Sequence, residues 1–333
     1  MFRMNFIFTI SSLFIRCYFG IKGSEKMGAK YLQELEMQFN GKFDLLIANK
    51  VIKWNSIQQQ FVCNSFSALF GRDNTPIEEE RNLLYFLTTA LYDEIIDTQS
   101  LSTEALDELF YHPQKAIPGN FEQAVLLHLH LQLLNQVPDQ EAYWSVIHQI
   151  HIAQKESIQQ FDPNTSDERL LSITERKGGY SLLMCRHYLD IPSSKELDAC
   201  WYALGSVIQM TNDLYDIHKD LQSGIETFAT RAKHSSAIAA LYNLQVGKLN
   251  ESIRKLPVAQ QKKNKLGITL SIIPGFGYIA LENLQTIQGQ APCLPPLNAL
   301  PRKALVIDME NNANRAKLVR FAYQNAKNIV QGE

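Results

Sequence analysis

The stretch PIEEERNLLYFLTTALYDEIID, residues 76–97, reads as one long helix. Leu84, Leu87, Leu91 and Ile95 recur at three- and four-residue spacing and so share one face. Thr75 ahead of Pro76, with Glu78 three residues on, marks the N-terminus: the threonine caps, and proline costs no hydrogen bond in a first turn. Outward from this segment the same periodicity continues over about 27–40, 55–71, 103–111, 119–136, 139–160, 167–190, 194–221, 234–256, 260–284 and 303–330, and sustained strict alternation is absent. Breaks fall at Gly71, Pro113, Pro118, Pro138, Pro163, Pro192 and the cluster Pro292–Pro301. Connections that short suit an all-α, single-domain bundle of about ten helices. The run LGITLSIIPGFGYIAL, residues 266–281, carries a proline and three glycines and reads as a kinked core helix.

Composition agrees. Of 333 residues, 28 are Gly or Pro, about 8 % where average usage gives roughly 12 %, so turns are few. Hydrophobic residues make up 45 % and charged residues 20 %, enough for a large core. The net charge of −2 provides no basic face for a phosphate backbone and argues against nucleic acid. Cys17, Cys63, Cys185, Cys200 and Cys293 are scattered without a CxxC pair. They read as small buried apolar residues in a reducing, cytoplasmic setting.

Residues 1–26 stand apart from the domain expected over 27–333. NFIFTISSLFI, residues 5–15, is apolar between Arg3 and Arg16 and about half the length of a membrane span, so no stable span is expected. Three readings stand: an upstream extension with translation starting at Met27, a short membrane-associating or export segment, or an ordinary N-terminal helix. The second would place the protein peripherally on a membrane.

Two acidic patches carry the chemistry. In Tyr92–Asp97 the carboxylates of Asp93 and Asp97 sit one helical turn apart, where like charges destabilise, at a helix C-terminus, where the macrodipole disfavours anions. A divalent cation would relieve them. In QMTNDLYDIHKD, residues 209–220, the oxygen donors Asn212, Asp216 and Asp220 form a stripe at i, i+4 and i+8, about 12 Å long at 1.5 Å per residue. Hard oxygens on adjacent turns suit Mg2+ that keeps waters and shares its shell with phosphates; Glu94 and Asp213 are lesser ligand candidates. Either patch alone is compatible with a solvated helix face. Between them, TERKGGYS, residues 174–181, sets Arg176 and Lys177 beside two glycines, which cost about 2 kcal/mol in a helix and so suggest a kink, a loop or a close backbone approach.

This ordered set resembles the class I isoprenoid synthase superfamily, which includes trans-prenyl diphosphate synthases, squalene/phytoene synthases and class I terpene synthases. The resemblance spans about Leu83–Arg231. It implies helices around a central apolar cavity, two acidic helices facing across its mouth, and three Mg2+ ions on the diphosphate of an allylic prenyl substrate, C15 or C20. Asp93 and Asp97 match the first motif, with Glu94 in place of the second Asp of DDxxD. Asn212, Asp216 and Asp220 match the second. Lys177 and Lys219 match diphosphate-binding lysines of the superfamily, and Arg176, beside Lys177 at the two glycines, is placed to reach the same diphosphate. Tyr92, Tyr180 and Tyr215, with Tyr202, Phe276 and Tyr278, are candidates to face a carbocation by cation–π contact and equally read as core packing.

The subtype follows from departures. An Arg-Arg-Gly after the first motif is absent, and Gly41-Lys42 leads into Phe43-Asp44-Leu45 rather than a second basic residue, so the isopentenyl diphosphate site of elongating synthases is missing. Yet DLQSGIET, residues 220–227, echoes a prenyl synthase. The reading that results is terpene synthase-like cyclisation or diphosphate elimination. The alternatives are a prenyltransferase of head-to-head or elongating type and a non-catalytic helical relative. A homodimer is compatible with each. His128/His130 and His148/His151 lack acidic or Cys partners for zinc.

Overall fold

A computed structural model of the chain describes residues 2–98, 100–137 and 139–331, apart from the side chains of Asp97 and Thr103. Among the described residues every regular element is helical. In chain order they are α1 Phe2–Gln38, α2 Leu45–Gln58, α3 Asn64–Ser67, α4 Pro76–Asp97, α5 Thr103–Tyr111, α6 Phe121–Gln136, α7 Gln140–Ser157, α8 Asp167–His187, α9 Lys195–Tyr215, α10 Ile217–Ser223, α11 Ser235–Lys255, α12 Gln260–Leu270, α13 Ile272–Gln288, α14 Arg302–Leu305 and α15 Asn312–Gln331.

The all-α reading holds, with differences of detail. The helix expected over 55–71 starts at Leu45, because the Asp44 carboxylate caps it by accepting from Leu46 N at 2.7 Å. It then passes through a π turn and a 3-10 turn to Gly71, whose φ of 78° ends it. The stretch 194–221 divides at Asp216 into α9 and α10. The apolar run 266–281 divides at Ser271; Pro274 then lies in the first turn of α13, where no intrahelical partner for its nitrogen is needed. Cys17, Cys63, Cys185 and Cys200 are buried as expected, whereas Cys293 is exposed in the irregular proline-rich segment after α13.

Packing groups the helices into two compact units: Glu156–Leu183 and Ser193 onward with the first ten residues, and Ser11–Lys155 with Met184–Pro192. The apolar faces explain the grouping. In the first unit α9 packs on α11 and α13, and α13 on α15, burying Trp201, Leu204, Val207, Tyr242 and Leu249. In the second α4 packs on α6 and α2, burying Leu84, Leu87, Leu91 and Ile95 together with Leu126 and Leu129. Each of those leucines is worth about 2 kcal/mol in burial. Helix α1 runs unbroken through Met27. By length and composition it is the one described helix that could cross a membrane.

The start of α4 is tied down as its sequence signature suggests. Thr75 and Glu78 form the reciprocal capping box. The buried Glu78 carboxylate also receives both terminal nitrogens of Arg72, at 2.7 and 2.5 Å, and the Asp190 amide at 2.5 Å. Burial pushes this carboxyl up, but Arg72 and the Thr75 and Asp190 amides outweigh it and hold the group at about 2. A depressed carboxylate stabilises above its ordinary value and loses that contribution as pH falls through the depressed one. Glu78→Gln is therefore expected to cost on the order of 3 kcal/mol at pH 7, measured by urea unfolding, with the gap to wild type closing as pH falls from 4.5 to about 2.

Candidate active site

The two acidic patches lie in different units, Asp93 and Asp97 in one and Asn212, Asp216 and Asp220 in the other. In the first, Asp93 projects half-buried from the last turns of α4 and accepts from Gln154 Nε2 at 2.7 Å. Glu94 is exposed. Asp97 closes α4, and its side chain lies outside the described residues. The preceding residue, Tyr92, is buried with its hydroxyl on His151 Nδ1. His151 Nε2 lies 2.6 Å from Asp107, which Lys155 also binds at 2.9 and 3.0 Å. Phe110 stacks on the His151 ring at 4.2 Å. Burial drives the Tyr92 phenol above its usual range, with Asp107 adding to the rise. Beneath Tyr92 a small cavity of about 40 Å³ is walled by Tyr85, Phe110, Leu126, Leu133 and Tyr143.

Those neighbours were not legible as a site. The sequence set His148 and His151 aside as unpaired for zinc; the structure gives both to tyrosines, His148 to Tyr111 at 2.6 Å and His151 to Tyr92. The His151/Lys155 spacing of one turn was the signal that a single acidic partner on another element could serve both.

The second patch is built by a close helix crossing. Residues 174–181 do not form a loop: α8 runs unbroken through them, and the glycines are there for proximity. A methyl group on Gly178 would overlap the Gly205 carbonyl of α9, and one on Gly205 would overlap the Gly178 carbonyl. At Gly179 it would meet the Tyr202 ring at 2.5 Å. The contact brings Thr174 over α9, where its hydroxyl donates to Asp213 at 2.8 Å, while Gln209 Nε2 holds the other carboxylate oxygen at 3.0 Å. Asp213 is therefore buried with both carboxylate oxygens hydrogen-bonded.

The stripe itself stays in register across the α9–α10 junction. Asp216 has φ −93° and ψ 6°, yet its amide reaches Asn212 O at 2.8 Å and the Asp220 amide reaches Asp216 O at 2.8 Å. Asn212 is exposed, Asp216 half-exposed and Asp220 buried. Burial first, then the negative charges of Asp213 and Asp216, push Asp220 up to about 7, with Lys219 and Lys177 pulling the other way. Burial likewise lifts Asp213 to about 6 against its two hydrogen bonds and Lys177. Lys219 is exposed, 3.9 Å from Asp216. Arg176 is paired with Glu156 at 2.5 Å. Gly224, at φ 68°, ends α10 and lets the Ile225 amide return to Asp220 O at 2.9 Å.

The proposed aromatics divide. Tyr215 is largely enclosed, its hydroxyl 3.4 Å from Phe276 O and its ring edge-on to Phe276. Tyr180 packs edge-on against Tyr202 at 5.0 Å. Tyr278 lines a different cavity of the same unit, about 390 Å³, with Phe321, Glu282 and Arg320, and none of the stripe residues lines it.

Among the described residues no group of three His, Cys, Asp or Glu side chains is gathered to hold a metal by itself. The donor chemistry nevertheless fits Mg2+. Asn212, Asp216 and Asp220 offer hard oxygens on consecutive turns, an open set that leaves coordination positions for water and phosphate. The crowded negative charge around Asp220 is what a bound cation would neutralise.

Two outcomes are expected. Gly205→Ala forces α8 and α9 apart and should cost about 1–3 kcal/mol in urea unfolding. Asp220 is a raised carboxylate, so the folded chain holds its proton more tightly, and stability from this group falls as pH rises from 3.8 to about 7. In Mg2+-free buffer, Asp220→Asn should match wild type near pH 4 and exceed it at pH 8 by on the order of 4 kcal/mol.

No protein-family model matches the chain, and a search of curated proteins returns no match.

Proposed function

We propose that the protein is a Mg2+-dependent enzyme of the class I isoprenoid synthase type, which ionises an allylic C15 or C20 prenyl diphosphate and completes the reaction by cyclisation or elimination. The observation that carries this reading is the Asn212–Asp216–Asp220 stripe, kept in helical register across a junction and backed by the buried Asp213. Asn212, Asp216 and Asp220 would hold Mg2+, which would supply Lewis-acid polarisation of the leaving diphosphate, and Asp93 and Asp97 are the candidate ligands of the other unit.

The chain's own groups have separable tasks. Lys177 and Lys219, the cations whose fields already act on Asp220, neutralise phosphate oxygens as the C–O bond lengthens. Arg176 reaches a phosphate only by leaving Glu156, so it acts in exchange for that ion pair. Tyr92 and Phe110 offer aromatic faces in a dry wall beside Asp93, where a cation is shielded from water.

One observation favours a second reading, a non-catalytic helical-bundle relative. The cavity beneath Tyr92 is about 40 Å³, well short of the roughly 300 Å³ of small ligand pockets, so an isoprenoid chain enters only if Tyr85, Phe110 and their neighbours swing apart.

The deciding assay measures inorganic diphosphate released from farnesyl and geranylgeranyl diphosphate with and without Mg2+, with isopentenyl diphosphate added in parallel to detect prenyl transfer. Catalysis requires Mg2+, and Asp93→Ala and Asn212→Ala each lower kcat by about 10²-fold or more. Release unchanged in both variants overturns the proposal; binding of either diphosphate without release selects the non-catalytic relative.

A further inference from the structure

Helix α1 carries a surface that the proposed chemistry does not use. Phe6, Ile10, Leu13 and Cys17 are buried, whereas Met4, Ile7, Phe8, Ile15 and Phe19 are between 54 % and 77 % exposed. At 100° per residue the exposed set occupies a sector of about 120°, with Tyr18 inside it, Phe14 on its border and the buried set opposite. One face of the helix docks on the protein. The other is apolar and turned to solvent over more than four turns, a patch larger than soluble surfaces ordinarily leave uncovered.

The charge of this segment identifies the partner. Residues 1–30 contain Arg3, Arg16, Lys22, Lys26 and Lys30 against Glu25 alone, a net +4 in a chain of −2, so the remainder carries −6. Where the apolar stripe ends, the Lys22 ammonium lies 4.7 Å over the Tyr18 ring and 3.3 Å from its hydroxyl. An aromatic beside a cation at the edge of an apolar band is how side chains straddle the boundary between acyl chains and headgroups.

We infer that this face of α1 docks on an anionic phospholipid bilayer, the helix lying in the interface with Met4, Phe8, Ile15 and Phe19 in the acyl boundary and Lys22 and Lys26 on lipid phosphates. The buried face sets the orientation. Phe6 meets Tyr323 edge-on at 5.1 Å, and Arg16 donates to Gln60 O and Ser65 Oγ at 3.3 Å. Crossing the bilayer would strip those contacts; lying flat keeps them. A second copy is the poorer occupant, since pairing this face with itself brings two +4 segments together.

The test is vesicle flotation of the full chain, with vesicles of phosphatidylcholine alone and of phosphatidylcholine with phosphatidylserine; neither contains a prenyl diphosphate, so the outcome is independent of the proposed activity. The expected result is binding to the anionic vesicles, at least about tenfold weaker binding to the neutral ones, and release by alkaline carbonate. Replacing Phe8, Phe14 and Phe19 by Ser abolishes flotation with the far-UV circular dichroism unchanged. Lys22→Gln with Lys26→Gln, which leaves the packed face intact, weakens anionic binding about thirtyfold and neutral binding hardly at all. Three results overturn the inference: no flotation with either vesicle, resistance to carbonate, or a lipid-free dimer lost in the Phe-to-Ser variant.

Discussion

Two residues without side chains set the geometry of the acidic stripe. Because Gly178 and Gly205 place the backbones of α8 and α9 in contact, Thr174 reaches Asp213 and the start of the α9–α10 junction is held from the side. A Cβ at either position would clash with the facing backbone and press the two helices apart, at the expense of that contact. The intrinsic cost of glycine in a helix, about 1 kcal/mol each, is offset by that close packing and the polar contacts it permits.

Held this way, the carboxylates of the stripe are in electrostatic conflict with their surroundings. Asp213 and Asp220 are buried, and each raises the free energy of the other's charge. Asp213 is compensated locally by Thr174 and Gln209, whereas Asp220 has only the more distant fields of Lys177 and Lys219. Perturbed carboxylates of this kind cluster at functional sites, and the proposed Mg2+ would relieve their charge. Beside Asp93 the arrangement is different. Tyr92, His151, Asp107 and Lys155 form a hydrogen-bonded chain in which each group has a partner.

Helix α1 shows how one sequence pattern serves two faces. A run read only for length, NFIFTISSLFI, is too short to span a membrane and too apolar to be a surface helix. The continuous helix through Gln38 resolves the contradiction, since Phe6, Thr9, Ile10 and Leu13 pack inward and the remainder stay exposed on a basic segment.

Local physics made the helices legible. The Thr75–Glu78 box, the leucine periodicity of α4 and the oxygen stripe at 212, 216 and 220 each depend on neighbours three or four residues away, and such spacing is written directly in the chain. Asp44 as a cap, the break at Ser271 and the exposure of Cys293 were less legible, because each depends on small differences between competing local arrangements. What only the tertiary structure decided were partnerships across long separations: Tyr92 with His151, Thr174 with Asp213, Gly178 with Gly205, Arg176 with Glu156, and the division into two packed units. Periodicity states which face of a helix is apolar but not which other face it will meet, and that pairing sets burial, charge and the room left beneath Tyr92.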